Sequence, residues 1–162
     1  MSIFVFGDSH VRRISGFDKS SVSGLKAKDV ALRGTLPPRI ANYDAIIIIL
    51  GSNDIDRAIR KNGTPYNAAR EVFNDLMTVV DKFKATFPHL RVFLVELWRR
   101  EKGLIFSDTR RLINSFISGN NRRQYETIRM SNFIKRKHVG RDDVHLTEKG
   151  YALVSRILQN LA

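Results

Sequence analysis

Ala45-Ile-Ile-Ile-Ile-Leu50 is the stretch that decides the fold, because it shows no polar alternation. A strand that is apolar on both faces is typical of the middle of a parallel sheet that helices cover on both sides. Residues 91–97 repeat this pattern. Residues 2–6 are rich in β-branched and aromatic side chains and stop at Gly7, as a strand that ends in a turn does. These three segments predict the centre of a parallel sheet.

Two weaker segments complete the predicted sheet. Residues 28–32 are predicted to form the second strand, which Arg33-Gly34 and then Pro37-Pro38 close. In residues 124–130, Tyr125, Thr127 and Arg129 alternate with Glu126, Ile128 and Met130, as the side chains of a half-exposed edge strand do. The sheet is therefore predicted to contain about five strands.

Helices are predicted between and after these strands. Thr64 can cap a helix that has Pro65 at its first position and runs to about Phe83. Thr147 can cap the last helix, and residues 109–117 form a shorter one. This order of strands and helices predicts an α/β fold, a three-layer sandwich of parallel strands with helices on both faces.

Length and composition fit a single domain that spans residues 1–162. With 43% hydrophobic and 27% charged residues, the chain is neither disordered nor collagen-like. It has no cysteine, which excludes disulfide scaffolds, cysteine-ligated zinc and thiol nucleophiles. The apolar run at 45–50 is far shorter than the ~20 residues of a membrane-spanning helix. Residues 2–6 are too short for a signal peptide, so we expect a cytoplasmic protein.

Polar side chains follow the predicted strands at the points where the strands end. Gly7-Asp8-Ser9 follows the first strand, Arg33-Gly34 the second and Gly51-Ser52-Asn53-Asp54 the third. Asp142-Asp143-Val144-His145 comes just before the last helix. Ligands of open α/β sheets bind at the carboxyl ends of the strands, so we expect these segments to converge.

The converging residue types suit nucleophilic catalysis. A serine hydroxyl attacks only when a base takes its proton, and His145 is the base available to Ser9. A carboxylate three residues before a histidine can reach its other ring nitrogen, which favours Asp142 over the next aspartate. The N–H groups of Ser9 and Gly34, with the side-chain amide of Asn53, would then donate to an oxyanion.

Each of these residues also has an ordinary structural explanation. Ser9 can cap a helix, Asn53 and Asp54 favour turns, and Asp142 can be a simple loop residue before a helix cap. His10 is expected at the surface. The occurrence of all the segments at strand ends, in order, favours the catalytic interpretation.

The same segments resemble those of the SGNH (GDSL-type) hydrolases, a family named for the Ser, Gly, Asn and His of four sequence blocks. Gly7-Asp8-Ser9 is similar to the nucleophile block, Gly51-Ser52-Asn53-Asp54 to the G-x-N-D block and Asp142-x-x-His145 to the D-x-x-H block. The resemblance covers nearly the whole chain. It implies a flavodoxin-like sheet of order 2-1-3-4-5 and ester or thioester hydrolysis without a metal or cofactor. In size and charge, the chain is also similar to the small SGNH esterase modules that some retrotransposons encode.

The chain is strongly basic, with 28 Lys and Arg against 16 Asp and Glu and a net charge of +12. Arginines lie beside nearly every predicted site segment, and we expect them to contact an anionic partner. They are Arg12, Arg13, Arg33, Arg57, Arg99, Arg100 and Arg141.

The basic surface leaves two further functions open besides hydrolysis of a small-molecule or lipid ester. The fold could serve as a module that binds nucleic acid or an anionic membrane. Alternatively, the arginines could contact the substrate itself, in which case the substrate is an anionic ester such as a phospholipid.

Overall fold

The computed structural model describes residues 1–100 and 102–161, and its centre is one sheet of five parallel strands. The strands are β1 (Ile3–Gly7), β2 (Asp18–Ser21), β3 (Ala45–Ile49), β4 (Arg91–Val95) and β5 (Glu126–Ile128). Their order across the sheet is β2-β1-β3-β4-β5, and every neighbouring pair is parallel. This confirms the predicted fold class and strand order.

In the described residues, five α-helices surround the sheet. They are α1 (Ala27–Arg33), α2 (Ile55–Asn62), α3 (Pro65–Thr86), α4 (Leu104–Gly119) and α5 (Glu148–Gln159). Thr64 caps α3 as predicted, since its side chain accepts a hydrogen bond from the N–H of Asn67 at 3.2 Å. Thr147 caps α5 in the same way. The helix predicted at 109–117 is longer at both ends, and α2 was not predicted.

Two hydrophobic cores hold helices on the two faces of the sheet. Alternate strand residues such as Phe4 and Ile46 pack in one core with α1, α2, α3 and α4. Their neighbours, such as Val5 and Ile47, pack in the other core with α5. Residues Ile46, Ile47 and Ile48 are fully buried, because β3 lies in the centre of the sheet and is covered on both sides.

The prediction of the second strand was wrong, because residues 28–32 belong to α1. Ala27 and Val30, three residues apart, are the buried side chains of this helix and pack in the core. Helical spacing therefore decides the structure of this segment. The true second strand, β2, reads Asp-Lys-Ser-Ser and contains no apolar residue. It lies at the edge of the sheet, where one neighbouring strand satisfies it and little burial is needed.

Among the described residues, no helix is long and apolar enough to cross a membrane.

Candidate active site

Ser9 lies just beyond the end of β1, in a turn that the backbone geometry fixes. At Gly7 a Cβ atom would lie 1.8 Å from the carbonyl oxygen of Ile49, so the chain tolerates no side chain there. The N–H of Val11 then donates to the carbonyl of Asp8 at 3.1 Å, which closes the turn. The half-buried Ser9 is thus presented at the carboxyl edge of the sheet.

His145 lies on a tightly closed loop that leads into α5. The N–H of Gly140 donates to the carbonyl of His145 at 2.7 Å. Asp142 Oδ1 accepts the N–H groups of Val144 and His145 at 3.0 and 2.8 Å. Asp143 takes a left-handed conformation with φ of 59°, which aspartate tolerates better than most residues do. These bonds fix Asp142 and His145 relative to each other before any ligand is present.

Ser9, His145 and Asp142 form a continuous chain of hydrogen bonds. Nε2 of His145 lies 3.0 Å from Oγ of Ser9, and Nδ1 of His145 lies 2.7 Å from Oδ2 of Asp142. A proton on Nδ1 donates to the carboxylate, which leaves Nε2 as the acceptor for the serine hydroxyl. Hydrogen bonds from the side chain and the backbone N–H of His145, then from Val144, lower the pKa of Asp142. The carboxylate is therefore charged at neutral pH.

Asn53 follows β3, the strand next to β1, and its side-chain amide forms hydrogen bonds at both ends. Nδ2 donates to the carbonyl of Leu25 at 3.1 Å, and Oδ1 accepts a hydrogen bond from Nη2 of Arg100 at 3.0 Å. Arg100 therefore fixes which end of the amide is the donor. Since only 6% of Arg100 is exposed, the expectation that it contacts an external partner is wrong. Its guanidinium is part of the support of the site.

The structure does not support Gly34 as an oxyanion donor. Gly34 ends α1, and its N–H donates to the carbonyl of Val30 at 3.1 Å. The prediction took the glycine after the second strand, but the second strand is β2, and the glycine that follows it is Gly24. Gly24 has φ of 73°, and its N–H has no hydrogen-bond partner among the described residues. Its loop also carries Leu25, the residue that Asn53 contacts.

His10 is buried beside His145, so the expectation that it lies at the surface was wrong. Its ring lies 5.5 Å from that of His145 and 4.8 Å from that of Trp98, and its Nδ1 lies 2.8 Å from Oη of Tyr151. Burial, followed by the charges of Arg100 and His145, lowers the pKa of His10 to about 3. A neutral His10 therefore forms part of the wall behind His145.

Two buried aspartates, Asp8 after β1 and Asp54 after β3, accept hydrogen bonds from backbone N–H groups. Asp8 accepts the N–H of His10 at 3.0 Å, and burial raises the pKa of Asp8 to about 6. Asp54 accepts the N–H groups of Ala27 and Lys28, at 2.9 and 3.1 Å, and so caps α1. Burial also raises the pKa of Asp54 to about 6. The carboxylates of both motifs thus organise backbone around the site.

An open cleft of about 350 Å³ borders the serine and the histidine. Of the seven arginines expected beside the site, three line this cleft, namely Arg12, Arg13 and Arg141. Arg99 lines a separate cavity, Arg57 lines a crevice beside Asp54, and Arg33 is exposed at the end of α1. The basic residues therefore do not act as one group.

In the described part of the chain, no group of three or more His, Asp or Glu side chains is arranged to hold a metal ion.

Several solved structures with the same architecture are those of ester hydrolases. A family 3 carbohydrate esterase from Talaromyces cellulolyticus is 16% identical, with a TM-score of 0.73 over 99% of this chain and 96% of that chain. The acetyl xylan esterase AlAXEase is 16% identical, with a TM-score of 0.73 over 100% of both chains. A protein described as a GDSL-like lipase from Parabacteroides merdae is 14% identical, with a TM-score of 0.70 over 98% of this chain and 94% of that chain. No protein-family model matches the sequence, and no curated protein matches it. The chain has the fold of the SGNH (GDSL-type) hydrolases.

Proposed function

We propose that the protein is a serine esterase that hydrolyses carboxylic esters with Ser9, His145 and Asp142. The observation that carries this proposal is the unbroken path from Ser9 Oγ through His145 to Asp142, with separations of 3.0 and 2.7 Å. Further support comes from its position at the carboxyl edge of a sheet whose fold is shared with esterases. The same serine would be an ordinary turn residue if its hydroxyl faced no base.

In the first half of the reaction, the ester acylates the enzyme. Ser9 Oγ attacks the carbonyl carbon while its proton passes to Nε2 of His145. The charged carboxylate of Asp142 stabilises the imidazolium that forms and keeps the ring oriented. The tetrahedral intermediate then collapses, and the alcohol leaves with the proton that His145 returns to its oxygen. The product of this step is an acyl ester of Ser9.

In the second half, water releases the acyl group. His145 Nε2 takes a proton from the water, and the resulting hydroxide attacks the acyl carbonyl. The second tetrahedral intermediate expels Ser9 Oγ, which regains its proton from His145. The net reaction converts an ester and water into a carboxylic acid and an alcohol.

The oxyanion of both intermediates needs donors, and three candidates lie on the segments that follow β1, β2 and β3 at the carboxyl edge of the sheet. We assign them as the N–H of Ser9, the second N–H of the Asn53 amide and, in place of Gly34, the N–H of Gly24. The amides of Ser9 and Gly24 have no hydrogen-bond partner among the described residues. Arg100 and Leu25 together orient the amide of Asn53. Each such donor contributes about 10²–10³ to the rate in comparable sites.

Hydrolysis of short esters tests this proposal. Purified protein is assayed with 4-nitrophenyl acetate and butyrate, and a Ser9→Ala variant is compared with a Ser115→Ala variant. Ser115 is an exposed serine of α4, so its substitution controls for the loss of any hydroxyl. We expect Ser9→Ala to abolish turnover and Ser115→Ala to retain it. Equal rates for Ser9→Ala and the unmodified protein would remove Ser9 as the nucleophile.

A further inference from the structure

The cleft at Ser9, which we call the Ser9 cleft, has an unusual charge. Three arginines line it, namely Arg12, Arg13 and Arg141. Asp142 is the one acidic residue among those that line it, and its Oδ2 already accepts a hydrogen bond from His145 at 2.7 Å. The residues that line the Ser9 cleft therefore carry three positive charges and one negative charge, and the negative charge is already hydrogen-bonded to His145.

None of these three arginines is neutralised within the part of the chain that the structure describes. Arg91 illustrates the alternative, since it forms an ion pair with Glu126. By contrast, Arg12, Arg13 and Arg141 have no carboxylate within 4.0 Å among the described residues. Their charges are available to a bound molecule.

The turn that carries two of the arginines is held in place from the edge strand. Lys19 Nζ donates to the carbonyls of Arg12 and Ile14, at 2.9 and 2.6 Å. The guanidinium carbon of Arg13 lies 5.7 Å from the centre of the Tyr151 ring, which is within cation–π range. The Lys19 hydrogen bonds thus hold the backbone of this turn, and the Tyr151 ring orients the Arg13 side chain, before a ligand is present. This lowers the entropic cost of binding one.

Arg141 lines the same cleft from a different segment, the loop that also positions His145. Its neighbours Gly140 and Asp142 are the two residues whose hydrogen bonds to His145 close that loop. These hydrogen bonds therefore hold the backbone of Arg141 next to Asp142 and His145. Because Ser9 lines the same cleft, an anion held by these arginines would lie near the serine and not at a distant surface.

We propose that the Ser9 cleft selects esters that carry a carboxylate or a phosphate group. A guanidinium offers two parallel N–H groups that match the oxygens of either anion, and such charge-assisted bonds are stronger than neutral ones. This inference rests on the proposed esterase function, because it assigns Arg12, Arg13 and Arg141 the recognition of the same substrate that Ser9 cleaves.

Two pairs of esters with matched neutral partners test the selection. One pair is monoethyl glutarate and ethyl pentanoate, followed by release of ethanol. The other pair is 1-acetylglycerol 3-phosphate and 1-acetylglycerol, followed by release of acetate. We expect kcat/KM to be at least about tenfold higher for the anionic member of one or both pairs, since each charge-assisted bond contributes that much. The pair with the larger ratio identifies the preferred anion.

Substitution of the arginines assigns the preference to the Ser9 cleft. In the double variant Arg12→Gln/Arg141→Gln, we expect the ratio of kcat/KM for the anionic ester to kcat/KM for its neutral partner to fall about tenfold. Arg122→Gln is the matched control, because Arg122 is exposed before β5 and does not line the cleft. Raising the NaCl concentration from 50 to 500 mM should lower only the anionic rate, since salt screens exposed charges.

The outcomes separate this inference from the esterase function. Hydrolysis of both members of each pair at equal kcat/KM would overturn the preference and leave the esterase intact. If no ester is hydrolysed, the esterase function fails, and calorimetry with glycerol 3-phosphate and glycerol decides the anion site. Tighter binding of glycerol 3-phosphate that the double variant loses supports the site, and equal binding overturns it.

A nucleic-acid role for the same arginines would give a different result. In that case the double variant would lose salt-sensitive binding of a single-stranded RNA oligonucleotide, while the rates for all four esters stayed unchanged. That combination overturns the substrate assignment of Arg12 and Arg141.

Discussion

Replacing Asp8 by asparagine should remove a pH dependence of stability that the fold imposes on this residue. Asp8 is 1% exposed, and burial raises its pKa from 3.8 to about 6. The folded protein therefore holds this proton more tightly than the unfolded chain does. The resulting stability is fully present below pH 3.8 and is lost as the pH rises through about 6. Two pKa units correspond to about 3 kcal/mol, of which about 2 kcal/mol is lost between pH 4 and pH 7.

The comparison is clean because Asp8→Asn keeps the acceptor that the structure uses. The N–H of His10 donates to Oδ1 of Asp8, and an asparagine oxygen can accept the same bond. Urea unfolding of both proteins at pH 4, 5, 6 and 7 can be followed through the single tryptophan, Trp98, which is buried. We expect the free energy of unfolding of the unmodified protein to fall by about 2 kcal/mol relative to Asp8→Asn across this range.

The control is Asp81→Asn, which changes the charge equally at an exposed position of α3. Its effect on the free energy of unfolding should stay within about 0.5 kcal/mol at every pH. A difference between the unmodified protein and Asp8→Asn that does not vary with pH would show that Asp8 does not have a raised pKa. A gain of stability by the unmodified protein, relative to that variant, as the pH rises would show the same.

Three further substitutions test other parts of the account. Asp142→Asn should lower kcat/KM by about 10²–10⁴, because the amide no longer stabilises an imidazolium at His145. Circular dichroism should show an unchanged fold, and an unchanged rate would exclude the role. Arg100→Met removes the donor that holds Asn53 Oδ1, so steady-state kinetics with a neutral ester should show kcat about tenfold lower at a similar KM. A change in KM alone would contradict this positioning role. Thr64→Ala should lower the free energy of unfolding by about 1 kcal/mol through loss of the α3 cap, with kcat unchanged in the folded protein.

The centre of the fold was predictable because burial leaves a direct trace in the sequence. The uninterrupted isoleucines of β3 can only belong to a strand that is covered on both faces, and Thr64-Pro65 marks the start of α3. The edge was not predictable in this way. β2 contains no apolar residue, so nothing in its composition separates it from a loop, and the apolar residues of α1 were assigned to a strand in its place.

In the candidate site, contacts between residues close in sequence were predictable, and those that depend on the position of an edge strand were not. Asp142 and His145 are three residues apart on one loop, so local spacing predicts their contact. The choice of Gly34 failed because it depended on the position of the second strand. The helical spacing of Ala27 and Val30 favours a helix at this position, which leaves the second strand to an earlier segment and makes Gly24 the glycine that follows it.

The burial of Arg100 was beyond the reach of sequence patterns. An arginine after a strand is most often exposed, and only the packing of the folded chain places this one at 6% exposure against Asn53. His10 is a similar case, since its burial depends on contacts with Trp98 and Tyr151 from distant parts of the chain. Residues that support a site from behind are therefore the ones that sequence reasoning misses.

The most direct test of the central claim is whether Ser9 is an activated nucleophile. Folded protein and a His145→Ala variant are treated with a fluorophosphonate, and the adduct is mapped by peptide mass spectrometry. We expect a single adduct on Ser9 in the unmodified protein, formed at least about 100-fold more slowly without His145 as the base. An absence of adduct in folded protein, or equal labelling of Ser9 in both proteins, would contradict it.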